Sequence, residues 1–224
     1  MTHEAAVVLA EAYEGVTTVI ANLEEDDRHR PTRCAGWSVD GLVAHLLLDA
    51  QRALVALASV VHRQPDVDSV SYWRNWNPDT DAAGRASSAD FASRLGSAYA
   101  SMESLASHWA HTMQAAVRAA ARSEPDVPVA MQQHVLSVAD LCRTLVVEAV
   151  VHHLDLVVDL PAVPLPAASP MAVARQTLDA LWERPAPTGW DDATYVLKAT
   201  GRKALTSSER HRLGAAADRL PLLG

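Results

Sequence analysis

The sequence predicts an all-α protein: an antiparallel four-helix bundle over residues 1–160, carrying a small helical appendage over residues 161–224. Three observations lead there. Four long segments repeat apolar residues at alternating steps of four and three, the spacing that gathers side chains on one face of a helix. Alanine, leucine and valine dominate, with nine glycines and one phenylalanine in 224 residues, a composition that suits closely packed helices. One of the four seams also turns from apolar to ionisable partway along, as happens in bundles that build a site from facing helices.

The first segment, residues 4–24, aligns Leu9, Tyr13, Val16, Ile20 and Leu23. The charged run from Glu24 to Arg30 and then Pro31 end it, and the run reads as a solvated loop. Gly36 permits a bend, Ser38 suits an N-cap, and Asp40 complements the positive end of a helix dipole, so a second helix is expected as far as about His62. Leu42, Leu46, Ala53 and Leu57 mark its apolar side. His45 lies in its first third, where a lone histidine is more often a core or surface residue than a ligand. Asp49 and Arg52 follow at i+4 and i+7, either as polar neighbours of His45 or facing solvent.

Residues 63–88 show no sustained period and contain Pro65, Pro78 and Gly84, so a long connection is expected. Within it, Tyr72, Trp73 and Trp76 surround Arg74, an arrangement that suits either a lid over a substrate or a plug at the end of the bundle. A third helix is expected over 89–122, with Phe91, Leu95, Ala98, Met102, Leu105, Trp109 and Thr112 on one seam and His108 and His111 off it. Pro125 and Pro128 stop it. The fourth helix runs from about Val135 to Val158. Beyond it come a proline-rich turn over 160–166, a short helix over 170–182 and a break at 185–189. A strand-like start at Tyr195, a glycine turn at Gly201 and a last helix over 207–220 complete the chain.

On the fourth helix Leu141, Leu145, Glu148, His152, Asp155 and Asp159 share one narrow seam, which begins apolar and becomes acid, imidazole, acid. An unpaired carboxylate is too costly to bury, so Glu148 needs a partner. Glu148 and His152 are stacked neighbours at i and i+4, which lets an oxygen and a ring nitrogen converge on one cation. A buried acid–base pair closed by a cation such as Arg143 fits the same stretch equally well. His153 points about 100° away from His152 and is not expected to share its role.

A formal charge of -8 and a pI near 5.6 argue against a nucleic-acid surface, which needs a basic stripe. The amino-terminal residues run straight into an amphipathic pattern, unlike a signal peptide, and no apolar run approaches the roughly 20 residues of a membrane span, so a cytoplasmic protein without membrane or nucleic-acid partners is expected. Cys34 and Cys142 form neither a disulfide framework nor a Cys-x-x-Cys knuckle and read as reduced thiols.

Cys34-Ala-Gly-Trp-Ser-Val-Asp-Gly-Leu-Val-Ala-His45, followed about a hundred residues later by Glu148-x-x-x-His152-x-x-Asp155-Leu156, resembles the DinB-like superfamily, and within it the actinobacterial branch named for mycothiol-dependent maleylpyruvate isomerase. Ala199-Thr-Gly-Arg202 and Leu220-Pro-Leu-Leu223 look like tails of that branch. The resemblance implies a bundle holding one divalent metal, usually zinc, with His45, Glu148 and His152 as its ligands. Asp155, one turn beyond His152, is then the candidate to accept the other imidazole N–H and fix the ring. Three protein ligands leave a fourth position open, as in catalytic zinc sites, and the family fills it with mycothiol.

The implied activity is that of a mycothiol S-transferase or isomerase, in which a thiolate attacks a small electrophilic molecule. Asp155 and Arg143 are the further catalytic candidates; Trp73, Trp76 and Arg74 are the candidates to wall the cofactor or substrate. The extension over 161–224 is shorter than the second domain of the isomerase, which favours transfer. A monomer or homodimer is expected. The alternative is a non-catalytic, metal-binding stress or interaction protein.

Overall fold

The computed structural model describes residues 3–74, 82–160 and 163–223, with the backbone alone for 82–88 and 159. In chain order, α1 (Glu4–Ala21) and α2 (Val39–Ala58) precede a one-turn helix α3 (Ser71–Arg74), α4 (Ala82–Ala98) and α5 (Met102–Arg122). An antiparallel hairpin, β1 (Pro128–Met131) with β2 (His134–Ser137), leads into α6 (Val138–Leu156). The C-terminal elements are α7 (Ala168–Trp182), α8 (Asp192–Ala199) and α9 (Ser207–Leu213).

The bundle is α1, α2, α5 and α6: α2 packs on α5 and α6, and α1 on the same two helices from the other side. Each presents its 4–3 seam inward. Leu9, Val16, Leu42, Leu47, Leu105 and Leu141 are fully buried between them. Trp109 of α5 lies at the centre, edge-on to Tyr13 with ring centroids 5.2 Å apart, and its indole N–H donates to Thr17 Oγ1 at 2.9 Å. A buried tryptophan with its N–H satisfied contributes its full apolar area to the core.

The third segment differs from the expected single helix. α4 and α5 are separate, and the break falls at Tyr99–Ser101 because Ser101 caps α5: its hydroxyl accepts the Ser104 N–H, and Ser104 Oγ accepts the Ser101 N–H in return. The seam does not carry through that break, so Phe91 is half exposed while Leu105 and Trp109 are buried. α4 lies outside the bundle against α2. The two helices approach so closely at Gly96 that a Cβ there would sit 2.5 Å from the Asp40 carbonyl oxygen. Arg28 secures the contact, donating from Nη2 to the Gly96 and Tyr99 carbonyls at 2.8 and 2.6 Å and from Nε to Asp40 at 3.4 Å. The charged run before Pro31 is therefore not wholly solvated, since Arg28 is buried.

Three further expectations are corrected. The stretch before α6 forms a hairpin, too short for its period of two to stand out in the sequence. The strand-like start at Tyr195 lies inside α8, whose Asp191 cap accepts the Thr194 N–H and whose Tyr195, Val196 and Ala199 face the core at helical spacing. The last helix is shorter than expected, passing from α9 into a 3-10 segment over Gly214–Arg219. α2, with a mean hydropathy of 1.4, is long and apolar enough to cross a membrane, although the sequence reading found no such run. Asp40, His45, Asp49 and Arg52 interrupt it, and more than half of it is buried in the bundle.

Candidate metal centre

The site forms where α2 meets α6. Its entrance is shaped by the Cys34–Trp37 turn, closed by the Trp37 N–H donating to the Cys34 carbonyl at 3.0 Å. Gly36, at φ +84°, occupies the third position of that turn, where a type II geometry needs the left-handed conformation. The turn sets Trp37 beside the start of α2, edge-on to the His45 ring at 5.1 Å between centroids. α6 starts equally sharply, with Ser137 Oγ accepting the Asp140 N–H at 3.0 Å. Register from that cap brings Glu148 and His152 opposite His45.

One donor atom from each of His45, Glu148 and His152 lies within 4.8 Å of the others. The two imidazole rings meet edge to face, 4.9 Å between centroids. His152 Nε2 is 3.1 Å from Glu148 Oε2, and its Nδ1–H donates to Asp155 Oδ2 at 3.0 Å. Asp155 is fully buried and is gripped from the C-terminal segment, where Arg202 Nε stands 3.3 Å from both carboxylate oxygens. Arg202 is itself steadied by donating to the Thr200 carbonyl at 2.9 Å. On α2, Asp49 follows His45 by one turn, with Oδ2 3.2 Å from His45 Nε2 and Oδ1 accepting from Arg52.

The trio lines a cavity of about 790 Å³, together with Asp49, Trp37, Cys34 and Trp73. Arg33, Arg52 and Arg202 also line it, as does Tyr72, whose hydroxyl donates to Gln132 at 3.2 Å. Residues from the extension, among them Thr200, Arg202 and Leu223, thus close a site whose donors come from the bundle.

Burial alone would raise the Glu148 carboxyl, but the His152 imidazole more than reverses this and holds it at about 2. Burial likewise pulls His152 down, and the Asp155 and Glu148 carboxylates overcome it, raising the imidazole to about 9. His45 has only partial compensation, so desolvation keeps it below its ordinary value. Burial pushes the Cys34 thiol up to about 11, which leaves it protonated at neutral pH. Without a metal, His152 is therefore an imidazolium between two carboxylates.

The placement of the remaining sequence candidates varies. Asp155 and Trp73 stand at the site, the first behind His152 and the second buried in the cavity wall. Arg143 does not: it points outward from α6, half exposed, and pairs with Asp140 at 3.2 Å. Arg74 is exposed, 3.9 Å from Glu183, and lines no part of the cavity. Trp76 lies outside the described residues. His153 is buried away from the trio, its Nε2–H donating to the Pro164 carbonyl at 2.9 Å. Sequence reasoning gave no role to Arg33 or Arg202 and did not separate Asp49 from a surface residue; Asp49 carried a signal in its i+4 spacing from His45, and Arg202 in the Ala199-Thr-Gly-Arg202 stretch that resembles the family's tails.

Two imidazoles and a carboxylate converging in this way are donors of the kind that hold divalent transition metals, so these residues fit such an ion. Fold and site together define a class, the all-α bundle with a candidate metal centre between facing helices. The chain belongs to the family of the mycothiol maleylpyruvate isomerase N-terminal domain, whose model matches residues 9–157, and its bundle is of the DinB-like kind. No curated protein and no solved structure matches it.

Metal uptake here must displace the Nε2 proton of His152. With that group raised to about 9 and His45 held low, the free site carries one such proton at neutral pH. Apparent metal affinity should therefore rise about tenfold per pH unit through neutral pH up to about 9 and then level, with about one proton released per ion at pH 7. Calorimetric titrations in buffers of different ionisation enthalpy measure both quantities.

Proposed function

We propose that this protein is a cytoplasmic, metal-dependent, thiol-using enzyme of the S-transferase or isomerase type. The observation that carries the reading is the convergence of His45, Glu148 and His152 on the wall of a large cavity, in a chain of the isomerase's N-terminal-domain family. A divalent ion, zinc in the first instance, would keep a low-molecular-weight thiol such as mycothiol as its thiolate at neutral pH.

The chain's own residues prepare that step. Asp155 takes the Nδ1–H of His152, fixing the tautomer that turns the Nε2 lone pair to the site, and Arg202 holds Asp155 in place. Of the three arginines lining the cavity, Arg52 and Arg202 are paired with Asp49 and Asp155, and Arg33 is the guanidinium that favours electrophiles bearing a carboxylate or another anion. Trp37, Tyr72 and Trp73 supply apolar walls that limit water around the nucleophile. In transfer, the sulfur–carbon bond forms as the leaving group departs with its electron pair. In isomerisation, the thiolate adds to a carbon–carbon double bond, the adduct rotates, and elimination of the thiolate restores the double bond.

Incubation with mycothiol and monochlorobimane tests the reading. The native protein should consume thiol faster than chelator-treated protein, and zinc should restore the rate. Equal rates in all three samples would reduce the metal to a staple between α2 and α6.

A further inference from the structure

His45 and Asp49 on α2 repeat the i, i+4 spacing of Glu148 and His152 on α6, and the two pairs face each other across one cavity wall. Asp49 is only 7% exposed. Its two oxygens have different surroundings. Oδ1 accepts from Arg52, whereas Oδ2 accepts no hydrogen bond although it lies 3.2 Å from His45 Nε2. The ring N–H axis does not point at that oxygen, so the two atoms converge without sharing a proton in line. A buried carboxylate oxygen left in this state normally finds a donor, because an unsatisfied charged group costs more than a neutral one. Asp49 stands outside the 4.8 Å grouping of the other three donors, so a cation that satisfies both atoms at once would draw its side chain toward Glu148 and His152.

We infer that Asp49 Oδ2 is a fourth protein donor to the metal held by His45, Glu148 and His152, making the centre a two-histidine, two-carboxylate site. This rests on the metal part of the function proposed above and is independent of the thiol step. Arg52 contributes by occupying Oδ1, so that Asp49 offers a single oxygen. The donor set is harder than three ligands alone would make it, because half its atoms are carboxylate oxygens. Such a set accepts manganese and iron(II) alongside zinc and cobalt, and it suits ions that take five or six ligands and so leave room for an exogenous one.

Cobalt(II) and zinc binding to the full chain test the assignment, with Asp49→Asn beside Asp155→Asn. Loss of an outer partner typically costs 10- to 100-fold in affinity. Asp155→Asn should stay within that range and leave the visible cobalt bands where they are in the wild type. Asp49→Asn should weaken zinc by more than about 100-fold and alter the position and intensity of the cobalt bands, because a donor atom is lost. Cobalt bands unchanged in Asp49→Asn would overturn the inference while leaving the trio as a metal site. No metal bound by the wild type would overturn both. Should Asp49→Asn fail to fold, Asp49→Glu replaces it: shifted cobalt bands with metal retained support a direct donor, and unchanged bands overturn it.

Discussion

Replacing His152 with alanine should weaken metal binding at least about a hundredfold and remove metal-dependent thiol consumption. Structural zinc sites bind with roughly 10–16 kcal/mol, so one ligand of four accounts for about 3 kcal/mol or more, which is about two orders of magnitude. The substitution acts twice. It deletes the Nε2 donor, and it leaves Glu148 without the imidazole 3.1 Å away and Asp155 with Arg202 as its remaining cationic neighbour. Competition against a chromogenic chelator reads the affinity. His153→Gln is the control: that ring bonds the Pro164 carbonyl, so its replacement should leave metal affinity within about threefold of the wild type. Equal losses in the two variants would contradict the assignment of His152.

Trp109→Ala should cost about 3–5 kcal/mol of stability, equivalent to roughly 10 °C in Tm for a chain of this size. Trp109 is fully buried where α1 and α5 meet, so its removal opens a cavity, loses the edge contact with Tyr13 and strips Thr17 of its indole partner. Phe91→Ala makes the comparison informative. A continuous third helix would place both residues on one buried seam, whereas the break at Ser101 leaves Phe91 half exposed. Its loss should therefore cost less than about 1 kcal/mol. Denaturant midpoints for the two variants decide between these outcomes.

The same contrast shows what periodicity can and cannot reveal. Glu148, His152 and Asp155 were legible because they interrupt an otherwise apolar helical seam, and their i, i+4 and i, i+3 spacing holds in α6. His45 carried no local signal and was singled out through a resemblance extending back through the Trp37 turn. Arg143 was placed near the site by proximity in sequence, yet five residues before Glu148 lies about 140° around the helix, which turns it outward to Asp140. Arg33 and Arg202 arrive from a turn and from the C-terminal segment, and no helical period reports where such segments return. The α4–α5 break depended on a capping box of two serines, and the four–three apolar spacing on either side of Ser101 hid that signal. Asp49 was visible at its spacing from His45, but spacing alone does not say whether a carboxylate faces water or a cavity.

Metal content of tag-free protein by inductively coupled plasma mass spectrometry, wild type beside Glu148→Ala, tests the central claim most directly. The wild type should carry about one divalent ion per chain, zinc or a metal close to it in preference, and the variant should carry almost none. No bound metal in the wild type, even after exposure to zinc, would contradict the claim and leave Glu148, His152 and Asp155 as an ion cluster within α6.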